Sequence, residues 1–269
     1  MAVTALHSAA TGLNALSREI DIIANNLANV NTMGFKSLRA NFEDLLYDAK
    51  EQPGVENESG GITPAGLFVG LGTRISNTQF DPGQGDPIRT ERDFDVMISG
   101  NGYFQVTVAD AVGGGTAFTR AGNFFLNRDG QLVLGNSEGP LVNPGITIDP
   151  EATDIAINPD GRITGLLPGD TDRTEFGQLQ LAAFVNPAGL ANIGGNLLIE
   201  TAASGPPITG NPGEGRFGSV LHKFLEASNV DPVRELVTLI KTQRAFELNS
   251  QTIQTADEAL QVISNLRRF

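Results

Sequence analysis

Glycine and proline are sorted along this chain, and that sorting constrains the fold more than any other feature. Residues 41–230 hold 30 of the 32 glycines and 13 of the 14 prolines. Residues 1–40 hold two glycines and no proline, and residues 231–269 hold one proline and no glycine. Glycine gives up too much backbone freedom in a helix, and proline removes a donor and clashes with the preceding turn. Long helices are therefore allowed at the two ends, while the middle has to turn often. The expected class is α+β: long N- and C-terminal helices forming a coiled-coil-like pair or tube, bracketing a central all-β domain. Charge is sorted in the same way. The ends sum to +1 and 0, so the middle carries −14 and the chain −13. A chain without a basic stretch is a poor partner for phosphate backbones, and no nucleic acid is expected. Cysteine is absent, which excludes disulfides and thiolate-held metals. No apolar run approaches the ~20 residues that span a bilayer.

In the first helix, Leu6, Ala9, Leu13, Leu16, Ile20, Ile23, Leu27 and Val30 follow alternating spacings of three and four, an unbroken heptad seam. Met33-Gly34 supplies the expected stop, since glycine accepts the left-handed cap. No Lys or Arg precedes Arg18, which is unlike a secretory leader. Asp231-Pro232 marks the start of the second helix, with proline suited to the first helical position. Its seam is Leu239, Thr242, Phe246, Asn249, Ile253, Ala256, Leu260 and Ile263. Thr242 and Asn249 are polar members, either register-setting or at a solvated rim. Both seams also suit core helices of an ordinary globular domain. Two such helices alone would be marginal against the entropy of ordering them, and packing among many neighbours would secure them.

The middle reads as short strands between turn signals, among them Thr73–Phe80, Tyr103–Val108, Phe124–Leu126, Leu132–Leu134, Ile146–Ile148 and Leu197–Glu200. Leu126-Asn127-Arg128-Asp129-Gly130 and Ile157-Asn158-Pro159-Asp160-Gly161 share Asn-x-Asp-Gly, which is hairpin chemistry because glycine accepts positive φ. A calcium loop is the rival reading, but neither continues to a terminal Glu ligand. Gly100-Asn101-Gly102 opens like a dinucleotide loop, lacks the third glycine and a following helix, and is expected to be a tight turn. The two histidines, His7 and His222, cannot furnish a His-rich metal site. No catalytic residue, cofactor, metal or small-molecule substrate is expected, and the chain does not read as an enzyme.

Asn25-Asn26-Leu27-Ala28-Asn29-Val30-Asn31-Thr32-Met33-Gly34-Phe35-Lys36 resembles the N-terminal signature of the bacterial flagellar rod and hook proteins. Glu226-Ala227-Ser228-Asn229-Val230-Asp231, Glu235-Leu236-Val237 and Gln243-Arg244-Ala245-Phe246-Glu247 resemble their C-terminal one. Asp95-Val96-Met97-Ile98-Ser99-Gly100-Asn101-Gly102-Tyr103-Phe104 and Phe118-Thr119-Arg120-Ala121-Gly122 resemble their central β-domain. The resemblance covers essentially the whole chain and is strongest to the distal-rod branch, through Phe42-Glu43-Asp44-Leu45-Leu46-Tyr47, Gln52-Pro53-Gly54 and Gly70-Leu71-Gly72-Thr73-Arg74. Two departures are Phe246, where Tyr is common, and Leu221-His222-Lys223-Phe224, where a Gln-Gly pair is more usual.

The resemblance implies a structural subunit polymerising as a homo-oligomeric helical rod, a hollow shaft transmitting torque to the hook and turning within the envelope rings. It implies proximal rod subunits, hook protein, periplasmic and outer-membrane ring proteins and the flagellar type III export apparatus as partners. It further implies location in the periplasm-spanning rod of the basal body, reached without a cleavable signal peptide. Asn25, Asn26, Asn29, Gly34, Phe35, Asn229, Gln243 and Arg244 are the motif residues it singles out. The expected division is 1–40, N-terminal assembly helix; 41–66, extended linker or bracing loop; 67–225, β-rich domain; 226–269, C-terminal assembly helix. A proximal rod or hook paralogue is the alternative within the family, and a secreted β-rich adhesin or carbohydrate-binding module the alternative outside it.

Overall fold

The structure, a computed structural model, describes residues 2–54, 65–109, 113–169 and 172–266, with side chains from residue 4 to residue 262. The chain divides into two compact units. One comprises residues 1–27, 38–79 and 232–269; the other comprises 28–37 and 80–231.

The first unit holds both long helices, α1 (Ala2–Ala28) and α2 (Pro232–Leu266), and, among the described residues, four strands. Leu38–Asp44 pairs with Thr73–Phe80, and Tyr47–Glu51 pairs antiparallel with Leu67–Gly70. Much of the expected linker is thus strand on its described part, and residues 55–64 lie outside the described residues. The α1 helix ends at Ala28, ahead of the expected Met33-Gly34 stop, because Thr32 N–H bonds Asn29 O (3.1 Å) and Phe35 N–H bonds Thr32 O (3.2 Å) in two successive turns. Val30, expected in the seam, therefore stands beyond the helix.

One expectation is overturned. Each end contributes a single helix, and the two do not form a long coiled-coil-like pair. A coiled coil needs its apolar side chains gathered into one seam. In α2 they are divided between two opposite faces: Val233, Leu236, Val237, Ile240, Leu248 and Val262 lie on the side away from the expected seam and are exposed. Polar and small residues take part where α1 meets α2: Asn26 Nδ2 donates to Glu235 Oε1 (3.4 Å), and Gly12 faces Asn249 so closely that an added Cβ would lie 3.1 Å from its Nδ2. The helices flank a mainly β centre, and that part of the α+β reading stands.

The second unit is that β centre. Its principal sheet runs Ala191–Gly194, Leu197–Ile199, Thr116–Thr119, Tyr103–Thr107, Leu141–Asn143, Leu132–Leu134, Phe124–Leu126. Leu181–Ala183 also joins Tyr103–Thr107 and carries Ile208–Gly210 on its other edge. Tyr103–Thr107 is buried on both faces save Thr107, as a strand must be when it organises the core. Phe104, Phe118, Phe124, Leu132, Leu181 and Ile163 are among its largest fully buried side chains. The Phe104 and Phe124 rings meet edge to face at 5.0 Å. Both Asn-x-Asp-Gly segments are hairpin turns: Gly130 and Gly161 have φ of 74° and 81°, and Asn127 Oδ1 accepts the backbone N–H groups of Asp129 and Gln131. Gly100-Asn101-Gly102 links two strands that belong to different sheets, with both glycines at positive φ.

Candidate assembly interface

The motif residues build the framework beneath the exposed surfaces of the two units. In the β unit, Gly34 has φ +71° and is buried; a Cβ there would lie 2.6 Å from Ala121 N and 2.7 Å from Arg120 C. Only glycine meets both demands. Its N–H bonds Glu226 O at 2.8 Å. Asn229 closes the same turn from the other end of the chain. Its Oδ1 accepts from Ser37 N–H (2.7 Å), its Nδ2 donates to Asp81 O and Gly83 O, and its own N–H bonds Phe35 O (3.3 Å).

Below them is a charged centre. Glu226, fully buried, takes Lys36 Nζ on Oε1 at 2.5 Å, Gly85 N–H on the same atom at 3.0 Å, and Arg120 Nη1 on Oε2 at 3.4 Å. Lys36 also donates to Gly83 O. Burial pulls the Lys36 ammonium below its ordinary 10.5, outweighing the opposing pull of Glu226 beside it. The Tyr103 hydroxyl is pushed above 10.0, again chiefly by burial. Lys36 and Glu226 are 190 positions apart, and no local pattern announces the pair. Lys223 adopts φ +63°, a left-handed residue at the segment where a Gln-Gly pair is more usual.

In the helical unit, Asn26 acts as a backbone mimic: its Nδ2 donates to Leu38 O (2.8 Å) and its Oδ1 accepts from Leu38 N–H (3.0 Å). Of the N-terminal seam, Ala9 and Ile23 are buried, and Leu6, Leu13, Leu16, Ile20, Leu27 and Val30 are half-buried. The remaining fully covered positions of α1 are Gly12, Ala15 and Asn26, a line of small or polar residues beside the expected seam. In the C-terminal seam Thr242 is buried, Leu239, Asn249, Ile253, Ala256 and Leu260 are half-buried, and Phe246 is exposed; the Ile263 side chain lies outside the described residues. Asn29 accepts from Thr32 Oγ1, Asn25 is exposed and bonded, Gln243 is exposed, and Arg244 pairs with Glu247 at 2.9 Å.

The expected seams omit the most exposed apolar surface. Val233, Leu236, Val237 and Ile240 are 68, 45, 47 and 58% exposed, and their spacing of i, i+3, i+4, i+7 aligns them as one stripe on α2. That spacing is readable from sequence; the heptad drawn from Leu239 runs along the opposite face of the helix. The β hairpin adds Leu46 (82%), Tyr47, Leu67 and Phe68, all exposed. A monomer seldom leaves contiguous apolar surface of this kind to water.

Three family models match the chain: a flagella basal body rod protein at residues 6–36, a flagellar hook protein FlgE/F/G D1 domain at 97–165, and a flagellar basal body rod FlgEFG protein C-terminal region at 222–266. The flagellar basal-body rod protein FlgG of Caulobacter vibrioides is 46% identical over 98% of this chain and 99% of its own length. The chain belongs to the flagellar basal-body rod and hook family. The FlgG of Bacillus subtilis is 36% identical, with 98% of each chain covered. The flagellar hook-basal body complex protein FlhP of the same organism is 33% identical over 97% of this chain and 98% of its own. As a member of the family, this chain is a structural component of the flagellar basal body and not an enzyme, and it assembles there with other flagellar components. The family's terminal matches fall on α1 with the Gly34 turn and on α2 with the strand bearing Glu226.

Proposed function

We propose that this rod-family subunit forms the distal rod, polymerising into a stiff hollow shaft that carries torque to the hook and turns inside the envelope rings. The seams of α1 and α2, together with the stripe Val233, Leu236, Val237 and Ile240, are the surfaces through which copies pack. The proximal rod, the hook, the periplasmic and outer-membrane rings and the flagellar type III export apparatus are its neighbours, and it lies in the part of the rod that spans the periplasm. The exposed stripe carries this reading. Full burial of a Val, Leu or Ile side chain is worth roughly 1.5–3 kcal/mol, and these four are about half exposed, so covering them adds ~3–6 kcal/mol per contact. Alignment with FlgG relatives over nearly the whole chain supports the distal branch. The test is electron cryotomography of basal bodies from a strain lacking this gene. A shortened rod without a hook is expected; complete loss of the rod would point to a proximal role, and intact flagella would contradict the reading.

A further inference from the structure

The β unit has a cavity of about 450 Å³ whose walls include Tyr103, Arg120, Phe184, Val185, Pro187 and Arg216. Among the described residues no carboxylate lines it, although the chain carries 31 acidic against 18 basic residues. Its inner wall is held rigidly. Arg120 is 6% exposed, donates through Nη2 to Gly100 O at 2.8 Å, and lies 5.2 Å from the Tyr103 ring centre. Tyr103 meets Phe184 edge to face, and Phe184 meets Phe118 at 4.8 Å in the same way. The nearest carboxylate, Glu226, is shared with Lys36, and Arg120 Nε has no hydrogen-bond partner among the described residues. At the mouth, Arg216 is exposed and makes no ion pair among the described residues, and Val185 is 77% exposed. The result is a buried cation at the back whose carboxylate partner is shared with Lys36, an exposed cation at the rim with no ion-pair partner among the described residues, and an apolar lip.

We infer that this cavity receives an acidic side chain from the β unit of a neighbouring copy of this chain. The inference rests on the polymer reading and gives it a specific lateral contact. Charge complementarity selects the occupant. Asp129, Glu138 and Glu151 are exposed on turns of the same unit and make no ion pairs among the described residues. Copies this acidic repel one another when packed closely, and a carboxylate seated between Arg120 and Arg216 converts that repulsion into a charge-assisted contact. Preorganised walls keep the cost of ordering the site small.

The experiment places photoactivatable benzoylphenylalanine at position 185 of the full-length chain and irradiates purified basal bodies. The expected product is a dimer of this chain, with the second attachment point inside residues 80–231 on a peptide bearing an exposed carboxylate. Arg216→Glu should abolish that dimer, and Arg216→Lys should keep it. Attachment to a different protein, attachment to a terminal helix, absence of any adduct, or a dimer indifferent to Arg216→Glu would each overturn the inference. Absence of the chain from basal bodies would overturn the polymer reading instead, and immunoblotting of the same preparation separates the two failures.

Discussion

Replacing Gly34 by alanine tests the motif framework, because two separate penalties meet there. The first is backbone strain: at φ +71° an L-residue pays about 1–2 kcal/mol. The second is overlap: the new Cβ would sit 2.6 Å from Ala121 N and 2.7 Å from Arg120 C, both backbone atoms that no rotamer change can move. Overpacking of this kind costs about 1–3 kcal/mol. The sum is ~2–5 kcal/mol, less the few tenths that alanine recovers by stiffening the unfolded chain. Gly139 is the control, with φ +58° and nothing within 4 Å of the added Cβ. Gly139→Ala pays the strain alone, so the difference between the variants isolates the overlap. Urea unfolding of the full-length chain, followed by far-ultraviolet circular dichroism, should show Gly34→Ala less stable than Gly139→Ala by about 1–3 kcal/mol. Equal losses would refute the claim that the Gly34 turn is fixed by contact with the Arg120-Ala121 backbone.

Other consequences follow from the same geometry. Asn26→Ala removes both side-chain bonds to the Leu38 backbone and should cost ~1–3 kcal/mol in the same assay; an unchanged midpoint would refute the backbone-mimic role. Because burial holds Lys36 below 10.5, the unfolded chain binds more protons than the folded one between that lowered value and 10.5. The stability of the native chain relative to Lys36→Met should therefore rise with pH through that window, and fall as pH drops back through the lowered value. Tyr103 is common to both proteins and cancels, so a pH-independent difference would contradict the assignment. A Leu236→Asp, Ile240→Asp variant alters only exposed positions, so it should fold like the native chain by circular dichroism yet fail to restore swimming to a deletion strain. Restored motility would count against the stripe.

What the sequence made legible was local. Gly130 and Gly161 announce their hairpins because a positive φ after Asn-x-Asp is a property of four residues. The helices follow from the exclusion of Gly and Pro at the ends. Helix faces were harder to read. The eye follows large apolar residues, and in α1 that selects Leu6, Leu13 and Leu16, whereas the fully covered positions include Gly12, which faces the Asn249 side chain, and Ala15. The coiled-coil pair failed for the same reason, since periodicity reports which residues could form a seam but not which surface an isolated chain covers. The strands in residues 38–51 were hidden because their burial alternates only weakly. The Lys36, Arg120 and Glu226 centre was invisible in principle, because its members come from three distant segments. The family words around Gly34 and Asn229 were plain, and only the fold explains them: each meets a backbone that leaves no choice of side chain.

If copies pack through the α2 stripe, it is open in the free subunit and covered in the rod. The native chain has no cysteine, so a cysteine placed at 240 is its sole thiol. Maleimide labelling of Ile240→Cys should be rapid in the purified subunit and blocked in isolated basal bodies, while Glu138→Cys reports exposure on the β unit of the free subunit. Protection at 240 on assembly is the expected result. Equal labelling of Ile240→Cys before and after assembly would contradict packing through the stripe.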